Sequence, residues 1–220
     1  MKIGVIIFGS TGMVGEGVLH ECLLNPDVDK VLVINRRPCN VSNPKLTELI
    51  QNDFFELTTI ENLLVGYNAC FYCLGSTSLK MKESEYYNIT YNLTLSIAQR
   101  FSRLNPGMIF CYISGAGADN SEKAKFMQTR VKGKIESDLM KLVFKKVYCF
   151  RPGLLKPTRG LKNAHKIYYI FTPFYPIFRI ILPNFVLTLQ ELGIAMINSV
   201  TKGYEKQILE VRDIVKLSKL

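Results

Sequence analysis

A glycine-rich turn near the start of the chain has the spacing that nucleotide-binding turns use. Its residues are Gly9-Ser10-Thr11-Gly12-Met13-Val14-Gly15, a G-x-x-G-x-x-G pattern. Glycine permits a tight turn and a close backbone approach to a pyrophosphate, and the N–H groups and dipole at a helix start stabilise negative charge. The same spacing also occurs in ordinary turns, so the neighbouring elements must decide. A P-loop is excluded because no Lys-Ser or Lys-Thr follows the glycines.

The segments around this turn have the order that a dinucleotide site needs. Residues 2–8 form a β-branched apolar run that predicts a strand, residues 12–24 carry apolar residues at helical spacing, and residues 30–35 predict a second buried strand. Strand, turn, helix and strand together make a βαβ unit, whose strands are parallel. This context favours dinucleotide binding over an ordinary turn.

Two arginines follow the second predicted strand, in the sequence Asn35-Arg36-Arg37. An NAD site places Asp or Glu here, near the adenosine ribose, and this chain has neither. Two guanidiniums could hold a ribose 2′-phosphate through charge-assisted hydrogen bonds, with one plane stacking on adenine. The residues therefore favour NADP over NAD, and a solvated basic turn before Pro38 is the alternative.

Two further segments follow predicted strands. Asp53 comes after the third strand and could accept a hydrogen bond from the adenine amine, or equally form a cap or a turn. Ligands of open α/β sheets collect at the carboxyl ends of the strands. The small residues of Leu74-Gly75-Ser76-Thr77, after the fourth strand, would permit close approach there, with a plain loop as the alternative.

Strands and helices alternate through the rest of the chain. Further strands are predicted at 47–51, 69–74, 108–113, 146–150 and 207–211, and helices at 59–64, 84–104 with Ser84 as N-cap, 121–141, 189–200 and 214–217. The predicted fold class is α/β, a Rossmann-like doubly wound parallel sheet with a small C-terminal lobe. Residues 1–153 would form the dinucleotide-binding core and 154–220 a substrate or partner lobe, within one compact domain.

Composition excludes several other classes of protein. A chain of 220 residues with 48% hydrophobic and 21% charged residues is expected to be globular rather than disordered, collagenous or a coiled coil. The first apolar run is too short for a signal peptide, so six cysteines predict reduced thiols in a cytoplasmic protein. We expect Cys70 and Cys73 to be core residues on opposite strand faces, and His20 and His165 to be structural or surface residues.

The net charge of +10 lies in the second part of the chain. Residues 1–120 carry 9 basic and 11 acidic residues (−2), whereas residues 121–220 carry 19 and 7 (+12). Residues 156–187 combine this charge with aromatic residues, and prolines interrupt them too often for a transmembrane helix. They could pack on the sheet or a subunit, line an apolar substrate pocket, or contact an anionic membrane. Nucleic acid is not predicted as a partner, because no recognition motif accompanies the charge.

The combined motifs resemble the atypical, extended-like short-chain dehydrogenases/reductases, in the NAD(P)-binding epimerase/dehydratase-like group. The resemblance spans most of the chain and is more specific than the glycines alone. It rests on the glycine turn, on Arg36-Arg37, and on Cys73-Leu74-Gly75, Ile113-Ser114-Gly115-Ala116, Val131-Lys132-Gly133-Lys134-Ile135-Glu136 and Arg151-Pro152-Gly153.

The resemblance implies roles for several of these residues. Ser114 would orient a substrate carbonyl, Lys132 would hold the nicotinamide ribose, and Pro152-Gly153 would lie beside the nicotinamide carboxamide. The family's catalytic Tyr, one helical turn before the lysine, is Gln128 here, and Gln cannot exchange a proton at neutral pH. Tyr112, Tyr168 or Tyr169 could replace it.

Two classes of function follow from these residues. The first is an NADP(H)-dependent oxidoreductase or epimerase-like enzyme acting on a small, apolar substrate, which Ser114 and Lys132 favour. The second is a non-catalytic NADP(H)-binding protein that senses redox state or engages a partner, which Gln128 favours. Contact with a membrane surface is compatible with both.

Overall fold

A parallel sheet of seven strands runs through the middle of the protein in the computed structural model, which describes residues 2–75, 81–121, 124–164 and 172–220. The strands lie in the order β3-β2-β1-β4-β5-β6-β9, and every neighbouring pair is parallel. Their bounds are β1 Ile3–Phe8, β2 Val28–Asn35, β3 Leu46–Ile50, β4 Ala69–Tyr72, β5 Ile109–Ile113, β6 Lys146–Phe150 and β9 Ile208–Leu209.

Helices cover both faces of this sheet and enclose two apolar clusters. One cluster lies between the sheet and helices α1, α6 and α7, and the other between the sheet and α3 and α4. The helix bounds are α1 Met13–Leu24, α2 Glu83–Tyr87, α3 Leu93–Leu104, α4 Met127–Leu139, α5 Tyr175–Ile181, α6 Leu189–Thr201 and α7 Val211–Leu217. Short 3-10 turns lie at Thr58–Leu63 and Thr172–Phe174, and a π-turn at Asn88–Asn92 joins α2 to α3. The predicted doubly wound α/β fold is confirmed.

Several predicted helix starts differ from the structure, and the last helix begins at Val211, within the predicted strand 207–211, rather than at Ile214. The long helix predicted at 84–104 begins at Glu83, so Lys82 rather than Ser84 occupies the N-cap position. The helix predicted from residue 121 begins only at Met127. The carboxylate of Asp119 accepts hydrogen bonds from the N–H and hydroxyl of Ser121 and so stabilises a turn there.

The C-terminal residues contribute to the sheet as well as to a smaller unit. Strand β9 extends the sheet beside β6, and α6 packs against α1, where an added Cβ at Gly17 would lie 3.0 Å from Leu189. Strands β7 (Leu154–Lys156) and β8 (Val186–Thr188) form a separate parallel pair. A boundary between core and lobe at residue 153 stays a prediction.

The cysteines are all free thiols, and burial raises the pKa of the Cys70, Cys73 and Cys111 thiols. Cys70 packs in the cluster beneath α3 and α4, and Cys73 packs against the opposite cluster, as expected for residues three apart along a strand. The described residues contain no group of three or more His, Cys, Asp or Glu that could hold a metal ion. Within the same residues, no helix has the length and apolar character needed to cross a bilayer.

Candidate functional site

The glycine turn lies at the carboxyl edge of the sheet, between β1 and α1. Gly9 has a φ of +82°, which a residue with a side chain rarely adopts. An added Cβ at Gly15 would lie 2.1 Å from the Gly9 carbonyl oxygen, so the first turn of α1 can approach the strand only without a side chain there. Gly12, at the start of α1, is exposed. The turn therefore presents backbone, with no side chain between it and a bound pyrophosphate at that position.

Asn35 and Ser10 support the turn from beneath. The Ser10 hydroxyl donates a hydrogen bond to Asn35 Oδ1 at 2.9 Å, and the Asn35 amide donates to Glu48 Oε1 at 2.7 Å. Both side chains are almost fully buried. Asn35 was predicted to bind cofactor; the structure places its side chain in hydrogen bonds that hold the glycine turn to the ends of β2 and β3.

Arg36 and Arg37 are both exposed, and they line different cavities. Arg36 lines a 160 Å³ cavity with apolar walls, and its guanidinium lies 6.0 Å from the ring centroid of Phe54. Arg37 lines a 460 Å³ polar cavity that also contains Thr11, from the glycine turn, and Lys162. Both arginines lie in a bend of the backbone that follows the last residue of β2.

The segment after β4 shares the cavity of Arg36. Leu74 and Gly75 line it together with Phe54 and residues of α3 and the π-turn. The Asp53 carboxylate accepts a hydrogen bond from the Phe55 N–H at 2.9 Å, which is the turn role considered for it. The structure thus brings Leu74 and Gly75 to the cavity of Arg36, whereas Ser76 and Thr77 lie outside the described residues.

Ser114 and Lys132 meet at the end of β5. The Lys132 ammonium donates a hydrogen bond to the Ser114 carbonyl oxygen at 2.5 Å. Burial lowers the pKa of Lys132, and the nearby Glu136 carboxylate partly opposes that shift. The Ser114 hydroxyl is buried and has no hydrogen-bond partner among the described residues. A buried hydroxyl without a partner is uncommon in folded proteins and fits a group that a ligand would satisfy.

We expect the Ser114→Ala variant to be as stable as the wild-type protein or more stable by up to about 1 kcal/mol, because it removes a buried polar group that makes no hydrogen bond. Ser199→Ala is the matched control, since the buried Ser199 hydroxyl donates to the Met196 carbonyl oxygen at 2.7 Å. The control should lose about 1 kcal/mol in urea unfolding. Equal losses in the two variants would show that Ser114 has an ordinary structural role.

The position one helical turn before Lys132 is held by Gln128, which is exposed on α4. Tyr112, considered as a replacement for the missing catalytic tyrosine, is wrong for that role. Its side chain is 1% exposed within the core cluster beneath α3 and α4, and burial raises its pKa well above the usual value. Tyr168, Tyr169 and His165 lie outside the described residues.

Pro152 and Gly153 lie directly beside the loop that carries Ser114. The Pro152 carbonyl oxygen accepts a hydrogen bond from the Ala116 N–H at 3.0 Å, and Ser114 N–H donates to the last residue of β6, Phe150, at 2.8 Å. An added Cβ at Gly153 would lie 2.1 Å from the Phe185 carbonyl oxygen. The structure therefore brings these residues together with Ser114.

An ion pair holds the helix that carries Lys132, and sequence reasoning missed it. Arg151 makes two hydrogen bonds to the fully buried Glu136 carboxylate, one of them from Nε to Oε1 at 2.9 Å, and also binds Glu210 and Asn120. These interactions raise the pKa of Arg151 further. Gly133 lets α4 lie close to the loop that precedes it, because an added Cβ there would lie 2.0 Å from the Asp119 carbonyl oxygen. In the sequence, the only sign of this ion pair was that Glu136 and Arg151 each belong to one of the motifs that carry the family resemblance.

This arrangement is a fold of the Rossmann type: a parallel sheet with the strand order of that fold, a glycine turn after its first strand, and Ser114 and Lys132 at its carboxyl edge. A solved structure of the enzyme WbmG from Bordetella bronchiseptica in complex with NAD has the same fold. Its TM-score is 0.68 at 11% identity, and the match covers 99% of this chain and 77% of that chain.

Two curated proteins that are similar in sequence identify the family, which the structural match alone does not. The chain is 30% identical over 167 residues to the mitochondrial protein fmp52 of Emericella nidulans, covering 70% of this chain and 68% of that protein. It is 29% identical over 153 residues to rat HTATIP2, covering 69% of this chain and 62% of that protein, so it spans about two thirds of these relatives. No protein-family profile matches. The chain belongs to the family of these proteins, the atypical short-chain dehydrogenases/reductases.

The relatives contradict one expectation from the sequence. A cytoplasmic location was predicted because the chain shows no secretory address, but the fmp52 proteins of Emericella nidulans and other fungi are named as mitochondrial. That prediction is wrong. Its physical basis was weak, since a short apolar N-terminal run bears on secretion and not on other compartments.

Proposed function

We propose that the protein binds NADP(H) and acts as an oxidoreductase, or an epimerase-like enzyme, on a small apolar substrate. The observation that carries the proposal is the unpartnered, buried Ser114 hydroxyl beside Lys132, at the same sheet edge as the glycine turn. The residues fit the cofactor, because the exposed Gly12 leaves the backbone at the start of α1 open to a pyrophosphate. The coarser property, an NAD(P)-binding fold, is shared with the NAD complex of WbmG.

The two cavities support NADP(H) over NAD(H). The apolar cavity of Arg36 suits an adenine ring, with the guanidinium available for stacking. The cavity of Arg37 suits a 2′-phosphate, because Lys162 and the Thr11 hydroxyl lie in the same cavity. Glu16, which also lines it, accepts hydrogen bonds from the Lys162 and Asn163 N–H groups, so its carboxylate is already engaged.

Bound NADPH would supply a hydride to a carbonyl carbon, and the chain must then supply a proton to the carbonyl oxygen. Ser114 would orient that oxygen through its free hydroxyl. Lys132 is our proposed proton donor in place of the absent tyrosine, because its lowered pKa makes the ammonium a better acid than an exposed lysine. The proton would be regained from water.

Turnover by the wild-type protein tests this proposal. Purified protein should oxidise NADPH in the presence of a panel of small apolar aldehydes and ketones, and Lys132→Met should lower the rate by about 10²-fold or more. Nucleotide binding by the Lys132→Met variant, measured alongside, distinguishes a lost proton donor from a lost cofactor site. Activity unchanged in Lys132→Met would contradict the role given to Lys132.

The exposed Gln128 favours a second candidate, a non-catalytic NADP(H)-binding protein. If the proton step is what the chain lacks, Gln128→Tyr should raise NADPH oxidation about 10²-fold or more, the lower end of the range for acid catalysis. Thr129→Tyr, which places the same phenol on another side of α4, is the matched control. If the wild-type protein does not oxidise NADPH and the Gln128→Tyr variant does, the non-catalytic candidate is supported. If the wild-type protein oxidises NADPH and the substitution does not raise the rate, the enzyme is supported.

A further inference from the structure

Helix α5 exposes its apolar side chains to solvent and turns its polar side chain toward the protein. A helix on a protein surface normally packs its apolar side inward, but no residue of α5 is buried. Its polar Arg179 faces inward and binds the Glu191 carboxylate at 2.6 and 2.8 Å, while Tyr175 contacts Arg179 and the Lys156 ammonium. These polar contacts tether the helix and leave its apolar side chains outside.

Six large apolar side chains are exposed on α5 and the residues next to it. Ile180 and Ile181 are 80% and 67% exposed, and the other four are between 47% and 53% exposed. We call this set the α5 patch; it consists of Phe174, Ile177, Ile180, Ile181, Leu182 and Phe185. A clustered apolar surface of this kind marks an interaction site rather than scattered exposure.

Basic side chains border the α5 patch. A groove of 580 Å³ between the end of α5 and helix α7 is lined by Arg179, Arg212, Lys216 and Lys219, and by no Asp or Glu side chain among the described residues. Arg212 is held to this side by a hydrogen bond to Asn184. Arg179 is paired with Glu191, whereas Arg212, Lys216 and Lys219 have no acidic partner among the described residues. An apolar surface bordered by these three cations complements the interface of an anionic bilayer, where hydrocarbon lies behind negative headgroups.

We propose that the α5 patch and the basic residues of α7 dock the protein on the surface of an anionic membrane, with the isoleucines entering the headgroup region. A second copy is a poorer occupant, because a two-fold interface uses the same surface of both subunits and would bring the basic residues of both into one contact region. This inference does not depend on the cofactor or on catalysis.

Vesicle flotation with the full chain tests it. The protein should bind phosphatidylcholine vesicles that contain phosphatidylglycerol and bind vesicles of phosphatidylcholine alone much more weakly. Lys216→Ser with Lys219→Ser should weaken binding about 25-fold, since each basic residue near such a surface contributes roughly fivefold. Ile180→Asp with Ile181→Asp should lower it by about tenfold or more.

Leu24→Asp with Val143→Asp is the matched control, because both side chains are exposed, at 68% and 75%, elsewhere on the protein. It should bind anionic vesicles like the wild type, and thermal unfolding should show that both aspartate variants are folded. The proposal is overturned if the wild-type protein does not bind anionic vesicles or if the α5 variant binds them equally well. A wild-type dimer that the α5 substitutions dissociate would assign the patch to a second copy and would also overturn it.

Discussion

Arg151→Met should lower the free energy of unfolding by about 3–5 kcal/mol, because it leaves the carboxylate of Glu136 buried without a partner. The Glu136 side chain has no exposed surface, and Arg151 is the basic residue that pairs with it. Urea unfolding at pH 7 measures the change. The same variant should also weaken nucleotide binding, since α4 carries both Glu136 and Lys132 and would lose its attachment to β6.

Two controls separate this effect from the loss of any ion pair. Arg100→Met breaks the pair with Glu61, whose side chain is 35% exposed, and should cost about 1 kcal/mol or less. Replacing both partners, Arg151→Met with Glu136→Met, should recover much of the lost stability, because no buried charge remains. If Arg151→Met costs no more than Arg100→Met, the ion pair does not hold α4 in the way described.

Gly15→Ala should reduce NADPH affinity by about 10- to 10²-fold, the scale of one lost hydrogen bond to a charged group. The added Cβ would lie 2.1 Å from the Gly9 carbonyl oxygen, so the start of α1 and the glycine turn must separate. Strain of this kind also costs about 1–3 kcal/mol of stability. Fluorescence titration and thermal unfolding measure the two effects.

The matched control for Gly15→Ala is Gly107→Ala. No atom lies within 4 Å of a Cβ added at Gly107, which follows α3 on the protein surface. This variant should bind NADPH and unfold like the wild type. Normal NADPH affinity in a folded Gly15→Ala protein would show that the nucleotide does not depend on the glycine turn.

The sequence could predict those parts of the site that depend on the pattern of residues within a single segment. Strand β1, the glycine turn and α1 follow from a β-branched run, glycine spacing and helical periodicity, and all three are present. Because the carboxyl ends of parallel strands share one edge, the positions of Arg36, Leu74 and Ser114 along that edge also followed from strand order.

The parts that sequence could not predict depend on contacts between distant segments or on local backbone direction. The ion pair of Arg151 and Glu136 exists only because β6 lies next to the strand that precedes α4. The division of Arg36 and Arg37 between two cavities depends on the backbone after β2. The outward apolar face of α5 was also hidden, since Arg179 is its only charged residue and the sequence does not show that this residue points inward to Glu191.

A titration of the protein with NADPH and NADH, read by nucleotide fluorescence, tests the central proposal most directly. NADPH should bind at least about tenfold more tightly, the scale of one charge-assisted contact to the 2′-phosphate. Arg37→Ser should weaken NADPH alone and remove this preference, whereas Arg36→Ser should weaken both nucleotides equally because it acts on the shared adenine. Equal binding of the two nucleotides by the wild-type protein, or a preference for NADH, would contradict the proposed NADP(H) site.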